Sequence, residues 1–230
     1  MTEQKIRGMF ISFEGSEGSG KTWQVAELTS FLQERGDPVL LIREPGGTLI
    51  GDQIRAILLD MKNKEMSARA ETLLFQASRA QLVEQVILPH LENGGVVVAD
   101  RYADSTLAYQ GYGRQLNLEQ VKALVGFATG GLKPDLSLLL DVDVEVGLRR
   151  RAGGGGWNRL DDLSLAFYQR VRQGYLQMAE EDPQRWVKID AGQAIEKVQQ
   201  DIQKVVLERI SRVRSLQPRQ EPLHRLPGRG

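Results

Sequence analysis

The sequence predicts an α/β protein built on a parallel β-sheet. Short apolar runs rich in Val, Ile and Leu alternate with longer amphipathic segments, which is the pattern of repeated strand–helix–strand units. A glycine-rich loop lies between the first apolar run and the first amphipathic segment. The chain has 230 residues, of which 41% are hydrophobic and 26% charged, which is ordinary for a globular protein with a sizeable core.

The alternation of apolar runs and amphipathic segments predicts the positions of the strands and helices. We predict strands at residues 8–13, 38–42, 96–100, 136–142 and 186–189. We predict helices at residues 22–34, 47–59, 68–92, 104–110, 118–128, 144–152, 163–181 and 195–211. No shift in composition marks a second domain, so we predict one domain over residues 1–211. Residues 212–230 contain three prolines and no apolar periodicity, which predicts a mobile tail.

Composition excludes several kinds of chemistry. The 30 basic residues balance 30 acidic ones, which gives no positive field for a nucleic-acid polymer or a membrane surface. Because cysteine is absent and only two histidines occur, we expect no disulfide, thiolate nucleophile or Cys- or His-rich metal site. The apolar runs are far shorter than the roughly 20 residues that span a bilayer, and the N-terminal segment lacks a signal-peptide pattern. We therefore expect a cytoplasmic protein.

The strongest motif is a phosphate-binding loop, GSEGSGKT at residues 15–22, which fits G-x-x-x-x-G-K-[ST] between a strand and a helix. Glycines allow backbone N–H groups to curl around a phosphate at the positive end of the helix. Lys21 is expected to bridge the outer phosphates and Thr22 to offer an oxygen to Mg²⁺. The residues expected to surround the phosphates are Gly15, Ser16, Glu17, Gly18, Ser19 and Gly20. The motif predicts binding of ATP or another nucleoside triphosphate.

Two further features indicate which class of phosphate-loop protein this is. A GTPase would carry an N-K-x-D motif, whereas Asn63-Lys64 is followed by Glu65 and Met66. An ATP-driven machine usually ends its second key strand in Asp-Glu, whereas residues 96–99 are followed by Asp100 and Arg101. Arginine beside a metal-binding carboxylate favours an acceptor that is itself a phosphate, for which little general-base catalysis is needed.

At these residues the sequence resembles the thymidylate kinase family over roughly residues 9–210. Beyond the phosphate loop, the resemblance rests on REPGGT at 43–48 with Arg55, ETLLF at 71–75 with Arg79, and DRYADSTLAYQG at 100–111. It implies a phosphate-loop NTPase fold with three α/β/α layers, strand order 2-3-1-4-5 and a lid at about 150–161. It also implies phosphorylation of dTMP to dTDP with ATP and Mg²⁺ in dTTP synthesis, and a homodimer.

The resemblance also assigns roles to residues of the acceptor site. Phe75 and Arg79, four apart on a helix, share a face on which a ring can stack on thymine and a guanidinium can donate to its carbonyl. Tyr109 would lie under the deoxyribose, and Asp100 would order Mg²⁺ together with Thr22. Arg55 and Arg101 would clamp the acceptor phosphate. The remaining expected contacts to dTMP are Glu17 for the 3′-hydroxyl, Thr106 and Gln110 for the base edge, and Ser105, Glu44 and Pro45 nearby.

The lid departs from the family pattern. Gly18 stands where some relatives carry arginine, so we expect the lid to supply the basic residue for the transferring phosphoryl group. The possible residues are Arg149, Arg150, Arg151 and Arg159, with glycines at 153–156 between them. We assign Arg150 and Arg159 to catalysis and Arg149 to ATP, while one lid arginine is expected to face adenine. Trp23 is expected to pack under the phosphate loop.

Two alternatives remain open at this point. The chain could phosphorylate a different nucleoside monophosphate, although Phe75, Arg79 and Gln110 favour thymine. It could also be a regulatory nucleotide-binding protein that kept the fold and lost turnover, which the glycine-rich lid favours. Assays across monophosphate acceptors separate these alternatives.

Overall fold

A five-stranded parallel sheet in the order β2-β3-β1-β4-β5 forms the centre of the molecule. This computed structural model describes residues 8–153 and 158–215. The strands are β1 (Met9–Glu14), β2 (Val39–Arg43), β3 (Val96–Asp100), β4 (Leu136–Asp141) and β5 (Trp186–Asp190). The predicted α/β class and strand order are therefore confirmed.

Helices cover both faces of the sheet. They are α1 (Lys21–Glu34), α2 (Leu49–Leu59), α3 (Ala68–Leu82), α4 (Leu88–Glu92), α5 (Ala103–Thr106), α6 (Leu118–Thr129), α7 (Val144–Ala152), α8 (Leu165–Glu181) and α9 (Ile195–Ser215). Two π-helical segments, Val83–Ile87 and Leu107–Gly113, extend α3 and α5, and short 3₁₀ turns lie at Met61–Asn63 and Arg159–Asp162. The predicted helix at 68–92 is thus α3, a π segment and α4 in succession. Across the described ranges, none of these helices combines the length and the apolar character needed to cross a membrane.

The core has two halves because successive residues of a strand point to opposite faces of the sheet. Ile11 and Phe13 of β1 pack with Leu28 of α1 and Ile202 of α9 on one face. On the other face, Phe10 of β1 packs in a separate cluster with residues of β3 and α3. Every residue of β1 and β3 is buried, as expected of parallel strands covered on both sides.

Helix α9 continues past the predicted helix end at residue 211 and ends at Ser215. The apolar periodicity of the helix carries it past Ile210, which is buried against the core. Residues 216–230 of the predicted tail, and the glycines at 154–156, lie outside the described residues. All five strands end at the same edge of the sheet, where loops from β1, β2, β3 and β5 meet.

Candidate active site

A cavity of about 830 Å³ lies at the carboxyl edge of the sheet. Its volume falls in the range of small-molecule sites. Its walls come from the phosphate loop, the turn after β2, α3, the segment after β3, the lid arginines and the loop after β5. Most of the predicted site residues lie together here: Glu17, Gly18, Ser19, Gly20, Lys21, Thr22, Glu44, Pro45, Arg55, Phe75, Arg79, Asp100, Arg101, Ser105, Thr106, Tyr109, Gln110 and Arg150.

The phosphate loop takes a path that only glycine allows at two of its positions. Gly15 has φ 139°, and a Cβ there would lie 2.5 Å from the Leu140 carbonyl oxygen. Gly18 has φ 68°, and its Cβ would lie 1.9 Å from the Gly147 carbonyl oxygen. Both conformations and both close approaches exclude a side chain. The loop is therefore held tightly between β4 and α7.

Lys21 is buried in the loop and directs its ammonium group at loop oxygens. Its Nζ donates to the carbonyls of Gly15 at 3.0 Å and Ser16 at 2.8 Å and to the hydroxyl of Ser19 at 3.1 Å. Burial, followed by repulsion from Arg101, lowers the pKa of Lys21 to about 8. Because a phosphate anion beside Nζ would favour the charged form, the site is electrostatically matched to a polyphosphate.

Thr22 and Asp100, the two predicted Mg²⁺ ligands, meet directly. The Thr22 hydroxyl donates to Asp100 Oδ2 at 2.8 Å, which joins the start of α1 to the end of β3. Both are oxygen ligands, as Mg²⁺ prefers, and Mg²⁺ commonly takes its remaining ligands from phosphates and water. Within residues 8–153 and 158–215, no three His, Cys, Asp or Glu side chains group as a metal site. The donor set thus fits a cation that arrives with a nucleotide.

Arg101 is held against the phosphate loop. It has φ 73°, and its guanidinium donates to the Gly15 carbonyl at 3.0 Å and to Glu17 Oε1 at 2.7 Å. The guanidinium carbon lies 4.9 Å from the centroid of the Tyr109 ring, whose hydroxyl also donates to Glu17 Oε1 at 2.8 Å. Burial opposes ionisation of Glu17, but Arg101 and Lys21 outweigh it and lower its pKa. Arg55 reaches the same cavity and donates to the Pro45 carbonyl at 2.7 Å.

Arg79 lies on the cavity wall, but its donors are already engaged. It is only 1% exposed, and Nε and Nη2 both donate to Glu44 Oε2. Nη1 donates to Gln76 and Thr106, and Nη2 also donates to the Tyr102 carbonyl. These bonds occupy all five N–H groups of a guanidinium. The predicted hydrogen bond from Arg79 to a base would have to displace one of them.

Of the four predicted lid arginines, Arg150 and Arg151 line the cavity, whereas Arg149 and Arg159 do not. Arg150 donates to the Ala191 carbonyl at 2.9 Å, in the loop that follows β5. Arg151 also lines the cavity, with Nε and Nη2 donating to the two carboxylate oxygens of Asp161 at 2.8 and 2.6 Å. This position favours a catalytic role for Arg151, whereas the sequence led us to assign Arg150 and Arg159 to catalysis.

The other two arginines are placed differently from their predicted roles. Arg149 points outward beside Glu145, at 3.8 Å and 70% exposed. Arg159 is buried, lies 2.7 Å from Glu71 Oε2 and donates to the Leu58 carbonyl at 2.9 Å. Neither lines the cavity. Their positions do not favour the ATP-binding role predicted for Arg149 or the catalytic role predicted for Arg159, because a run of adjacent arginines on a helix points in several directions.

Sequence reasoning missed the buried carboxylates behind the site. Glu14, the last residue of β1, accepts hydrogen bonds from the Tyr102 N–H at 2.9 Å and the Ser105 hydroxyl at 2.6 Å. Burial, together with Asp104, raises the pKa of Glu14 to about 8. The available signal was an acidic residue at the end of a mostly apolar strand. Trp23 was expected to pack under the phosphate loop, but its side chain lines the cavity and is 41% exposed.

The fold and the cavity define a class: a phosphate-loop phosphotransferase, in which the glycine-rich loop and several arginines line one cavity. The family model for thymidylate kinase matches residues 13–202. Thymidylate kinase from Roseiflexus sp. (strain RS-1) is 48% identical over 210 residues, covering 86% of this chain and 93% of that protein. Thymidylate kinase from Desulfovibrio desulfuricans is 50% identical over 197 residues, covering 83% and 91%.

A solved structure agrees with these sequence matches. Thymidylate kinase from Ehrlichia chaffeensis superposes with a TM-score of 0.72 at 33% identity, covering 87% of this chain and 99% of that one. The chain therefore belongs to the thymidylate kinase family, and the resemblance predicted from its motifs is confirmed.

Proposed function

We propose that this chain phosphorylates dTMP to dTDP with ATP as the donor. One observation carries the proposal: a single cavity holds the phosphate loop with Lys21, the cationic pair Arg55 and Arg101, and the aromatic and amide side chains of Phe75 and Gln110. A triphosphate, an acceptor phosphate and a pyrimidine ring each find a matching group there. The organisation suits phosphoryl transfer between two nucleotides.

Positioning and charge neutralisation account for the reaction. Arg55 and Arg101 orient the acceptor phosphate so that one of its oxygens attacks the γ-phosphorus in line. The bond from the γ-phosphorus to the bridging oxygen breaks as the new P–O bond forms, and ADP leaves with that electron pair. Lys21 neutralises charge on the transferring group. Because the nucleophile is already anionic, no side chain has to remove a proton from it.

We propose Mg²⁺ as the cation of this site, held by Thr22 and Asp100 together with donor phosphates. When bound, Mg²⁺ neutralises phosphate charge during transfer. The hydroxyl and the carboxylate are already 2.8 Å apart, which is close enough for both to face one hydrated cation.

We propose that residues 150–161 act as the lid and that Arg151 is its catalytic arginine. The two carboxylate oxygens of Asp161 accept hydrogen bonds from Nε and Nη2, which form one edge of the Arg151 guanidinium, and this bidentate pair limits the motion of the side chain. Arg150 contacts the Ala191 carbonyl and is proposed to flank the adenine. Closure of such a segment excludes water and so suppresses ATP hydrolysis.

A coupled assay tests the proposed activity. Purified protein is incubated with ATP, Mg²⁺ and each of dTMP, dUMP, dCMP and dGMP, and ADP release is measured with product analysis. We expect efficient formation of dTDP. Faster phosphorylation of another monophosphate would mean that this compound, and not dTMP, is the acceptor. Thermal stabilisation by nucleotides without any product would favour a non-catalytic regulator.

A homodimer is proposed from an apolar surface on three adjoining helices. Helix α3 packs against both α2 and α6. Exposed apolar side chains on these helices are Leu49, Ile50, Ile57, Leu73 and Phe127. Phe127 is 90% exposed, which is costly for a large aromatic ring unless a partner covers it. Light scattering should give a dimer mass that Leu73→Glu halves, while Leu165→Glu on α8 leaves it unchanged; a monomeric parent protein would contradict the proposal.

We also propose a cytoplasmic location, because the proposed reaction consumes ATP and a deoxynucleoside monophosphate, which are cytoplasmic metabolites.

A further inference from the structure

Glu71 is a buried carboxylate on α3 that the proposed reaction does not use. It is 0% exposed, and its Oε1 accepts a hydrogen bond from Gln110 Nε2 at 2.9 Å. Arg114 Nη2 donates to Oε2 at 3.0 Å, and Arg159 Nη2 lies 2.7 Å from the same oxygen. Of these three partners, Gln110 is the one that lines the cavity. The amide of Gln110 therefore lies between Glu71 and the cavity.

The ionisation state of Glu71 decides which way that amide is turned. Burial opposes ionisation, but hydrogen bonds from Arg114 and Gln110 and the contact with Arg159 outweigh it and lower the pKa of Glu71. A carboxylate between two guanidinium groups only accepts hydrogen bonds. The NH₂ end of the Gln110 amide must therefore point to Glu71, since the opposite orientation would set two acceptor oxygens against each other.

This orientation leaves the carbonyl oxygen of Gln110 as the end available to a ligand. Gln110 is 2% exposed, and within the described ranges its Oε1 has no hydrogen-bond donor. Thr106, on the same wall, accepts from Gln76 Nε2 at 3.1 Å and from Arg79 Nη1 at 2.9 Å. Its hydroxyl hydrogen has no acceptor in the described part of the chain, so it is free to donate. This wall of the cavity thus presents one hydrogen-bond acceptor, Gln110 Oε1, and one donor, the Thr106 hydroxyl.

We propose that Glu71 is a positioning residue that sets pyrimidine specificity by fixing the orientation of the Gln110 amide. The inference rests on the proposed function and deepens it. Thymine and uracil offer an imide N3–H to the Gln110 oxygen and a carbonyl to the Thr106 hydroxyl. Cytosine offers an N3 acceptor and an amino donor, so both contacts would be mismatched. The pair does not distinguish dTMP from dUMP.

Replacing Glu71 by glutamine tests this assignment. In Glu71→Gln the new amide can donate to Gln110 Oε1, which allows Gln110 to turn its NH₂ group toward the cavity and serve cytosine. We expect the ratio of kcat/KM for dTMP to that for dCMP to fall by about tenfold or more, the scale of one mismatched buried hydrogen bond. The ratio of dTMP to dUMP should stay constant, because both bases present the same edge.

Two further variants separate orientation from stability. Arg114→Gln removes an ion pair from Glu71 but leaves the Glu71–Gln110 bond, so it should lower the melting temperature and keep the dTMP:dCMP ratio. The exchange variant Glu71→Gln/Gln110→Glu keeps an amide–carboxylate pair and again presents an acceptor oxygen to the base, so it should recover the preference for dTMP. It also decides the matter if Glu71→Gln is too unstable to assay.

The outcomes also distinguish this inference from the proposed function. If the unaltered protein makes no dTDP, the proposed function fails, whatever Glu71 does. If the unaltered protein prefers dTMP and Glu71→Gln keeps the same dTMP:dCMP ratio, only the role of Glu71 is overturned. An equal loss of selectivity in Arg114→Gln, or no recovery in the exchange variant, would likewise overturn it.

Discussion

Glu44→Gln tests whether the buried ion pair between Glu44 and Arg79 holds the floor of the acceptor site. The side chains of Arg79 and Glu44 are 1% and 3% exposed, and two of the five guanidinium N–H groups donate to one carboxylate oxygen. Removing the negative partner leaves a guanidinium charge without compensation in a region with little water. Losing one partner of such a pair costs about 3–5 kcal/mol of unfolding free energy.

That cost predicts a large thermal shift. For a domain of this size, 1 kcal/mol corresponds to about 2–4 °C, so the melting temperature of Glu44→Gln should fall by about 6–20 °C. Differential scanning calorimetry measures it, with Glu119→Gln as the control. The pair between Glu119 and Lys122 is 82% and 55% exposed, so its loss should change stability by less than about 1 kcal/mol. Equal shifts in the two variants would refute the assignment of Arg79 as a buried, charge-paired scaffold residue.

Three further predictions concern catalysis and pH. Lys21→Ala should lower kcat by about 10²–10³-fold with a smaller change in KM for dTMP, measured by steady-state kinetics, because it removes charge from the transferring group; a retained kcat would exclude Lys21 from the transition state. Asp161→Asn should loosen Arg151 and lower kcat by about tenfold. The control Asp162→Asn should leave kcat unchanged, because the Asp162 side chain is 55% exposed. Equal effects of the two variants on kcat would argue against a catalytic role for Arg151. Burial raises the pKa of Glu14 from 4.5 to about 8, so the folded state retains a proton that the unfolded chain loses. Stability from this group should therefore decline as pH rises from about 5 to 8, by at most about 1.4 kcal/mol per pH unit, and melting curves of Glu14→Gln should lack this decline.

The fold and the phosphate loop were predictable because their signals are local. The loop sequence carries its own backbone requirements, as the conformations of Gly15 and Gly18 show. Strands β1 and β3 are mostly apolar, with four apolar residues each, which is the pattern of parallel strands buried on both faces. The family resemblance implied a shared Mg²⁺ role for Thr22 and Asp100, and their side chains are hydrogen-bonded in the structure.

The partners of buried charges were not predictable in this way, because pairing is decided by tertiary contacts. Arg79 was expected to donate to a base, but Glu44, far away in the chain, and Thr106 occupy its donors. Arg159 shares its chemistry with Arg151, yet one is buried against Glu71 and the other lines the cavity. Residue type and spacing alone do not distinguish these environments.

The buried carboxylates suggest a common principle for this site. Glu44 holds Arg79, Glu71 holds Gln110 and Asp161 holds Arg151, so three of the groups expected to face substrate have an acidic residue behind them. A carboxylate accepts hydrogen bonds without donating, so it fixes the orientation of the donor in front of it. Such preorganisation lowers the cost of arranging the site when nucleotides bind, because the side chains need not be ordered at that moment. In a chain whose 30 basic and 30 acidic residues balance, the arginines at the cavity thus keep acidic partners beside them, as Arg79 does with Glu44 and Arg151 with Asp161.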